Sequence, residues 1–356
     1  MLLPVVRASA LMEIQRIRRL KYPGEVLVYE GQQVLPDDVI AETLVPARII
    51  MVDIADRLGV DPLAVRACLV REPGEYLHEG DILAQITDTL SRLVRAPLNG
   101  RFTGLHQGKA VFEIEHRSIQ VKAGMTGVVQ TIFPGHGAVI SASGFLLQGL
   151  WGNEAIGMGE LQNLEVSWSR PLTPDMLSGR GEGMVIAAGS CMDAETLRWF
   201  GTRSSGGLII GWMPPDLLTV ANAMPVPIIL MQGFGVGQPD SSLLNWLRPH
   251  AGKSVCLNAS AVDAHTGMRP EALIPASGEA RPDALGVQQA LAVGQKVRVF
   301  AGGHWGITGA VLALPEGDLL FESGLAQPAA VVQLDLGEEI TVPQQNLVIL
   351  ADISTD

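Results

Sequence analysis

Short apolar runs broken by glycine set the pattern over the first 150 residues. The phrase recurs as YPGEVLVYEGQQVLPDDVIAE (Tyr22–Glu42), REPGEYLHEGDILAQI (Arg71–Ile86), VRAPLNGRFTGL (Val94–Leu105) and VKAGMTGVVQTIFPGHGAVISASG (Val121–Gly144). Glycine at such breaks supplies the positive φ of a type II turn or the exit of a type I turn. Imperfect alternation between the breaks predicts short strands in a small two-sheet sandwich. Between the first two phrases, Val52, Ile54, Ala55 and Leu58 follow helical spacing, and Asp61-Pro62 offers an N-cap followed by proline. One or two short helices are expected to interrupt the strands.

From about Gly181 to Ala261 the period changes. GMVIAAG, GGLIIGWM and PVPIILMQGFGVG read as fully buried strands. SCMDAETLRWFG, DLLTVANAM and PDSSLLNWLRPH read as helices between them, the first capped by Ser190 or Asp193, the last by Asp240 or Ser241. KSVCLNAS is a candidate fourth strand. Buried strands alternating with helices predict a small parallel α/β unit. The connection RPEALIPASGEARPDA follows, and Ala290–Asp352 alternates as a final all-β unit, with Val297 and Val299 on one face of QKVRVFA and Arg298 on the other.

Two stretches resemble known families. GEYLHEGDILAQI followed by VRAPLNGRF resembles the barrel-sandwich hybrid fold of biotinyl and lipoyl carrier domains, through Gly74, Leu77, Gly80, Asp81, Leu83, Ala96, Pro97 and Gly100. Those carriers present a modified lysine at a hairpin tip, and no lysine lies between Gly80 and Ala96. The resemblance therefore implies a scaffold or docking unit. GQKVRVFAGGHWGITGAV resembles the KOW motif of SH3-like barrels, through Gly294, Val297, Val299, Gly302, Gly306, Gly309 and Val311. That family implies RNA or protein partners. The expected architecture is multidomain and mainly β: a hybrid-like β domain over 1–170, a small α/β domain over 181–268 and an SH3-like barrel over 285–356.

Composition narrows the partners. The chain has 356 residues, 47% apolar, with 40 glycines, 22 prolines and only 17% charged residues. That length supplies two or three cores. A surface so sparsely charged suits either burial against a partner or compact packing with short loops. Net charge is −12, and the last 66 residues hold 2 basic and 8 acidic side chains. A phosphate-backbone binder needs a positive surface, so the acidic charge disfavours nucleic acid as a partner of the KOW-like unit. The densest basic cluster is Arg16, Arg18, Arg19 and Lys21. Three isolated cysteines, Cys68, Cys191 and Cys256, make neither a disulfide framework nor a zinc site. The start lacks the pattern of a secretory signal, and the most apolar stretch, Gly206–Gly233, is interrupted by Pro214-Pro215 and Asp216. A cytoplasmic chain without a membrane span is the expectation.

Candidate chemistry is sparse. Gly233, Gly235 and Gly237 follow a strand and precede a helix, a context that cradles phosphate on backbone N–H groups. Their G-x-G-x-G spacing departs from the dinucleotide fingerprint, and a tight strand exit explains them as well. With Ser190, Cys191 and Asp193 they would converge on a small-molecule site if the sheet binds at its carboxyl ends. Cys191 at a helix start is a candidate nucleophile only with a base in reach. The seven histidines form no metal-binding spacing, and the neighbours Asp37-Asp38 and Glu338-Glu339 point apart in extended chain. Trp151 is either a core aromatic or an interface anchor, and His304 and Trp305 in the KOW-like loop are candidate contact residues. The leading expectation is a non-enzymatic interaction or scaffold protein, without cofactor or metal, that contacts a protein partner or copies of itself. The alternatives are a transcription- or translation-associated nucleic-acid factor and an enzyme with a site at the α/β strand ends.

Overall fold

The computed structural model describes residues 2–45, 48–86, 92–114, 117–179, 183–203, 206–237, 241–263, 268–278, 281–282 and 288–351. It is a multidomain, mainly β molecule built from several sheets. His116, Asp240 and His265 lie outside the described residues.

One strand organises the rest. Leu2–Arg19 is a single extended segment of 18 residues. Its second half pairs antiparallel with Gly137–Gln148, from Leu11 opposite Phe145 to Arg19 opposite Gly137. Its first half pairs antiparallel with Gln288–Ala290 and parallel with Leu347–Ala351. A register slip between Ala8 and Leu11 separates the two halves. Alternation explains the strand: Met12, Ile14, Arg18 and Leu20 are buried, while Glu13, Gln15, Ile17 and Arg19 face out. The basic cluster of the sequence is therefore split across two faces of a strand.

Residues 48–114 form a module inserted between Val39–Val45 and Arg117–Lys122. Those two strands pair antiparallel, as do Arg48–Asp53 and Lys109–Ile114, the strands that enter and leave the module. The module has its own core, centred on Ile54, Leu58, Leu83, Phe102 and Phe112. Its first helix, Ile54–Leu58, is capped by Asp53, which accepts from the Asp56 N–H, and ends at Gly59 with φ +65°. The second helix begins at Val65, three residues after the expected proline, because Asp61 first closes a turn onto the Leu63 N–H.

The recurrent glycine phrase has one physical basis. At Gly31, φ +85°, the Gln32 side chain accepts from the Tyr29 N–H, and Gly31 and Gln32 bracket Val129 by backbone hydrogen bonds. At Gly74, φ +102°, Glu75 accepts from the Glu72 N–H, and Gly74 and Glu75 bracket Phe102 in the same way. At Gly294, φ +85°, Gln295 accepts from the Ala292 N–H and brackets Val311 with Gly294. Only glycine adopts that φ without strain, and the following Gln or Glu satisfies an otherwise orphaned turn donor.

The α/β unit carries Met184–Ser190, Gly207–Met213 and Ile228–Phe234 in parallel, flanked on one side by Ile156–Asn163, also parallel. Both faces are buried, as the unbroken apolar runs predicted. Ile186, Ile210 and Ile228 pack under Leu197 and Phe200 of helix Ala194–Arg203, while Val185, Ile209 and Ile229 pack on Leu243, Trp246 and Leu247. The candidate fourth strand, Ser254–Asn258, exists but runs antiparallel to Ile156–Asn163. Ser254 stands opposite Glu160, which is level with Met184 at the amino end of the parallel strands, so the chain has crossed back before this strand and runs on away from their carboxyl ends. Asn153 locks the edge of this unit: its Nδ2 donates to the carbonyls of Ala221 and Val226, and its Oδ1 accepts from the Ile228 N–H.

His250 is buried between Phe145 and Trp246, with ring centroids at 4.5 and 4.7 Å. Burial and the neighbouring Lys253 ammonium push its pKa down from 6.5 to about 4. Between those values the unfolded chain binds more protons than the folded one, so stability falls as pH drops through this window and is full above 6.5. Urea unfolding as a function of pH should show this loss, and His250→Phe should remove on the order of 1–3 kcal/mol of it. An unchanged pH slope in the variant would contradict the assignment.

Candidate functional site

The residues singled out in the sequence gather at the carboxyl ends of the parallel strands, where open α/β sheets bind ligands. Ser190 ends its strand, is buried, and its carbonyl accepts from the Leu172 N–H. Cys191 follows, fully buried, its N–H on the Trp212 carbonyl and its Sγ 3.7 Å from the Asp193 carbonyl. Burial, with the Asp193 charge adding, pushes this thiol up to about 12. Asp193, rather than Ser190, caps the helix: its carboxylate accepts from the Thr196 N–H at 2.7 Å and from the Thr196 hydroxyl at 2.8 Å.

Two of the three glycines of the strand exit, Gly233 and Gly237, pack on an indole, while the Cβ position of Gly235 is open. Trp212, 3% exposed, lies across them. A Cβ at Gly237 would overlap its ring, and one at Gly233 would sit 3.4 Å from its Cζ3. A third glycine on the ring comes from the C-terminal module: a Cβ at Gly306, where φ is +76°, would overlap the far edge of the same ring. Phe300 reaches Gly233 from that module too, and Arg298 donates through Nη1 to the Met231 carbonyl at 2.9 Å. Arg298 does lie opposite Val297 and Val299, yet it is buried, because its face of the strand meets the α/β sheet and not solvent. The C-terminal module thus packs on the sheet where Ser190, Cys191 and Gly233 converge.

Trp151 packs half-buried on the α/β core, edge-on to Phe234 at 5.7 Å, in a two-residue strand against Ile229 and Leu230. His304 stands 3.8 Å from Glu338, and Trp305 is 51% exposed, edge-on to Phe300 at 5.6 Å. The loop Gly302–Gly306 therefore turns Gly306 inward onto Trp212 and Trp305 outward. Among the described residues, no cluster of three or more His, Cys, Asp or Glu is arranged to hold a metal. No helix among them is long and apolar enough to cross a membrane.

Sequence reasoning missed an exposed apolar strand. Among the described residues, Arg48–Asp53 (RIIMVD) is the outermost strand of its sheet and pairs only with Lys109–Ile114. Ile49 is 70% exposed and Met51 57% exposed, both on its outer face. The signal was present as an apolar run charged only at its ends, but residues 48–51 fall between the first glycine phrase and the helical spacing that begins at Val52.

No protein-family model matches this chain, and no curated protein matches it.

With Cys191 and Cys256 buried and burial raising both thiols, only the half-exposed Cys68 is open to reagent. A disulfide reagent should release about one equivalent from the native chain within minutes, mapped to Cys68, and the other two thiols only on unfolding. Fast native labelling of Cys191 would contradict this geometry and favour a reactive thiol.

Proposed function

We propose that this protein is a non-enzymatic interaction module that assembles with copies of itself through the edge strand Arg48–Asp53. The hybrid-barrel reading of residues 1–170 and the SH3-like reading of residues 285–356 belong to this proposal. They are supported by the glycine turns at Gly31, Gly74 and Gly294, which share one hydrogen-bond plan. The observation that carries the functional reading is the unguarded edge. Monomeric β proteins protect edge strands with lysine, proline, bulges or a covering segment. Residues 49–52 carry no charge and no proline, and pairing with Lys109–Ile114 runs without a register slip.

Antiparallel pairing about a two-fold axis through Ile50 places Ile49 of one copy beside Met51 of the other, apolar against apolar on the exposed face. Packing of the C-terminal module over the α/β strand ends supports the non-enzymatic half of the reading. The test is light scattering on size-exclusion chromatography over a wide concentration range. The wild-type chain should elute at twice its monomer mass at tens of micromolar, roughly where edge pairing of this size holds. Ile49→Lys or Met51→Lys should return a folded monomer. A wild-type monomer at every concentration would overturn the reading.

A further inference from the structure

The turns of the inserted module recur, bond for bond, in the chain that flanks it. In the flanking chain the Gly31 N–H donates to the Val129 carbonyl, and the Val129 N–H to the Gln32 carbonyl. In the module Gly74, Phe102 and Glu75 make the same two bonds. Further along, the Asp38 carboxylate accepts from the Leu35 N–H, and the Asp81 carboxylate from the His78 N–H. The backbone carbonyls of these two aspartates then accept from the Ala123 and Ala96 N–H groups. The Leu20 N–H donates to the His136 carbonyl as the Ile54 N–H does to the Gly108 carbonyl.

Strand registers agree too, including their irregularities. Gly127 faces Val34 as Gly100 faces Leu77. The pair Val129–Ile140 slips to Thr131–Val139, and Phe102–Phe112 slips to Gly104–Val111. The pair Ala41–Val121 slips to Val39–Lys122, and Ala84–Val94 slips to Ile82–Arg95. Arg16, Ile17 and Arg18 face Ile140, Val139 and Ala138, as Ile50, Met51 and Val52 face Phe112, Val111 and Ala110. Matched core positions are buried in both parts: Leu20 and Ile54, Ile40 and Leu83, Ile140 and Phe112. Bulges are specific local features. Two in matching places, with matching turn bonds, do not follow from generic sheet geometry.

We infer that residues 48–114 are a second copy of the fold formed by residues 16–45 and 117–141, set into the tip of one of its hairpins. Thr43 faces Ile119 in the outer copy as Ile86 faces Arg92 in the inner one. The outer hairpin runs on to Val45 opposite Arg117 and there gives way to the inner copy. The copies diverge where the first strand meets its surroundings. Arg16 of the outer copy bonds Glu271, on the neighbouring strand Glu271–Pro275. The matching Ile50, with Val52, packs on the inner copy's own core. The outer copy is thereby built into the body of the molecule, and the inner copy is a self-contained unit. None of this depends on whether Arg48–Asp53 pairs with another chain.

Segment exchange in the full chain tests the equivalence. Placing the sequence of Tyr29–Val34 over Glu72–Leu77 keeps the glycine, the side-chain acceptor after it and the buried apolar residue in register. Peptides covering Phe102 and Phe112 should keep their hydrogen-exchange protection within about tenfold. Placing Val28–Gln33 there instead moves the glycine one position late and puts a glutamine where Leu77 is buried. Protection should then fall by about a hundredfold or more. Excision tests the nesting. All six tryptophans lie outside residues 48–114, so their fluorescence reports the body alone. Replacing residues 46–116 by Asn-Gly, a two-residue turn suited to paired strands, should leave the tryptophan-detected Tm within about 4 °C of the full chain's. An in-register exchange as damaging as the shifted one, or an excised chain without a tryptophan-detected unfolding transition, would each overturn the inference.

Discussion

The backbone pairing of Leu2–Arg19 is the constraint on which the other modules depend. An isolated two-stranded ribbon is marginal in water, and stability comes from further strands and a covered face. This strand provides that to both ends of the chain at once. Its second half completes the sheet that holds Ile14, Ile140 and Leu273 in one core. Its first half brings Leu3 into the C-terminal core with Val297, Val332 and Ile349. Contacts between residues so distant in sequence carry a large closure entropy, which only a cooperative gain across several strands offsets. The slip between Ala8 and Leu11 falls where the strand changes partners.

Packing of the C-terminal module on the α/β sheet follows from that tether. Once Leu347–Ala351 is held beside Val5–Arg7, Arg298 and Gly306 lie within reach of Met231 and Trp212. Trp212 then fills the place that glycines at a strand exit would otherwise leave for a ligand. A glycine-rich exit and a phosphate cradle share the same sequence, and only the occupant separates them. The inserted module, by contrast, is joined through two paired strands and closes its core on its own residues. It is the part of the molecule best suited to present an edge to another chain.

Much of the local structure was legible in the sequence. The buried runs Val185–Ser190 and Leu208–Met213 became central parallel strands because nothing polar interrupts them. The glycine phrases became turns because positive φ and a following Gln or Glu mark the same geometry three times. Non-local consequences were not legible. Arg298 alternates correctly but is buried, since its outer face meets another module. The basic cluster read as a short surface patch, yet period-two alternation places Arg18 indoors and Arg19 outdoors. The antiparallel direction of Ser254–Asn258 comes from its pairing with Ile156–Asn163, a non-local contact that the local sequence does not display. Ser190, Cys191, Asp193 and Gly233 do come together, but that the C-terminal module joins them could not be read from either stretch alone.

If Leu2–Arg19 makes the α/β unit and the C-terminal module one cooperative body, their amides must open together. Native-state hydrogen exchange with peptide-level resolution measures this directly. Peptides covering Leu208–Ile210, Val297–Val299 and Leu347–Ile349 should exchange with the same opening free energy, while residues 48–114 exchange earlier and independently. Independent, weaker protection of the C-terminal strands would contradict the central role of the first strand.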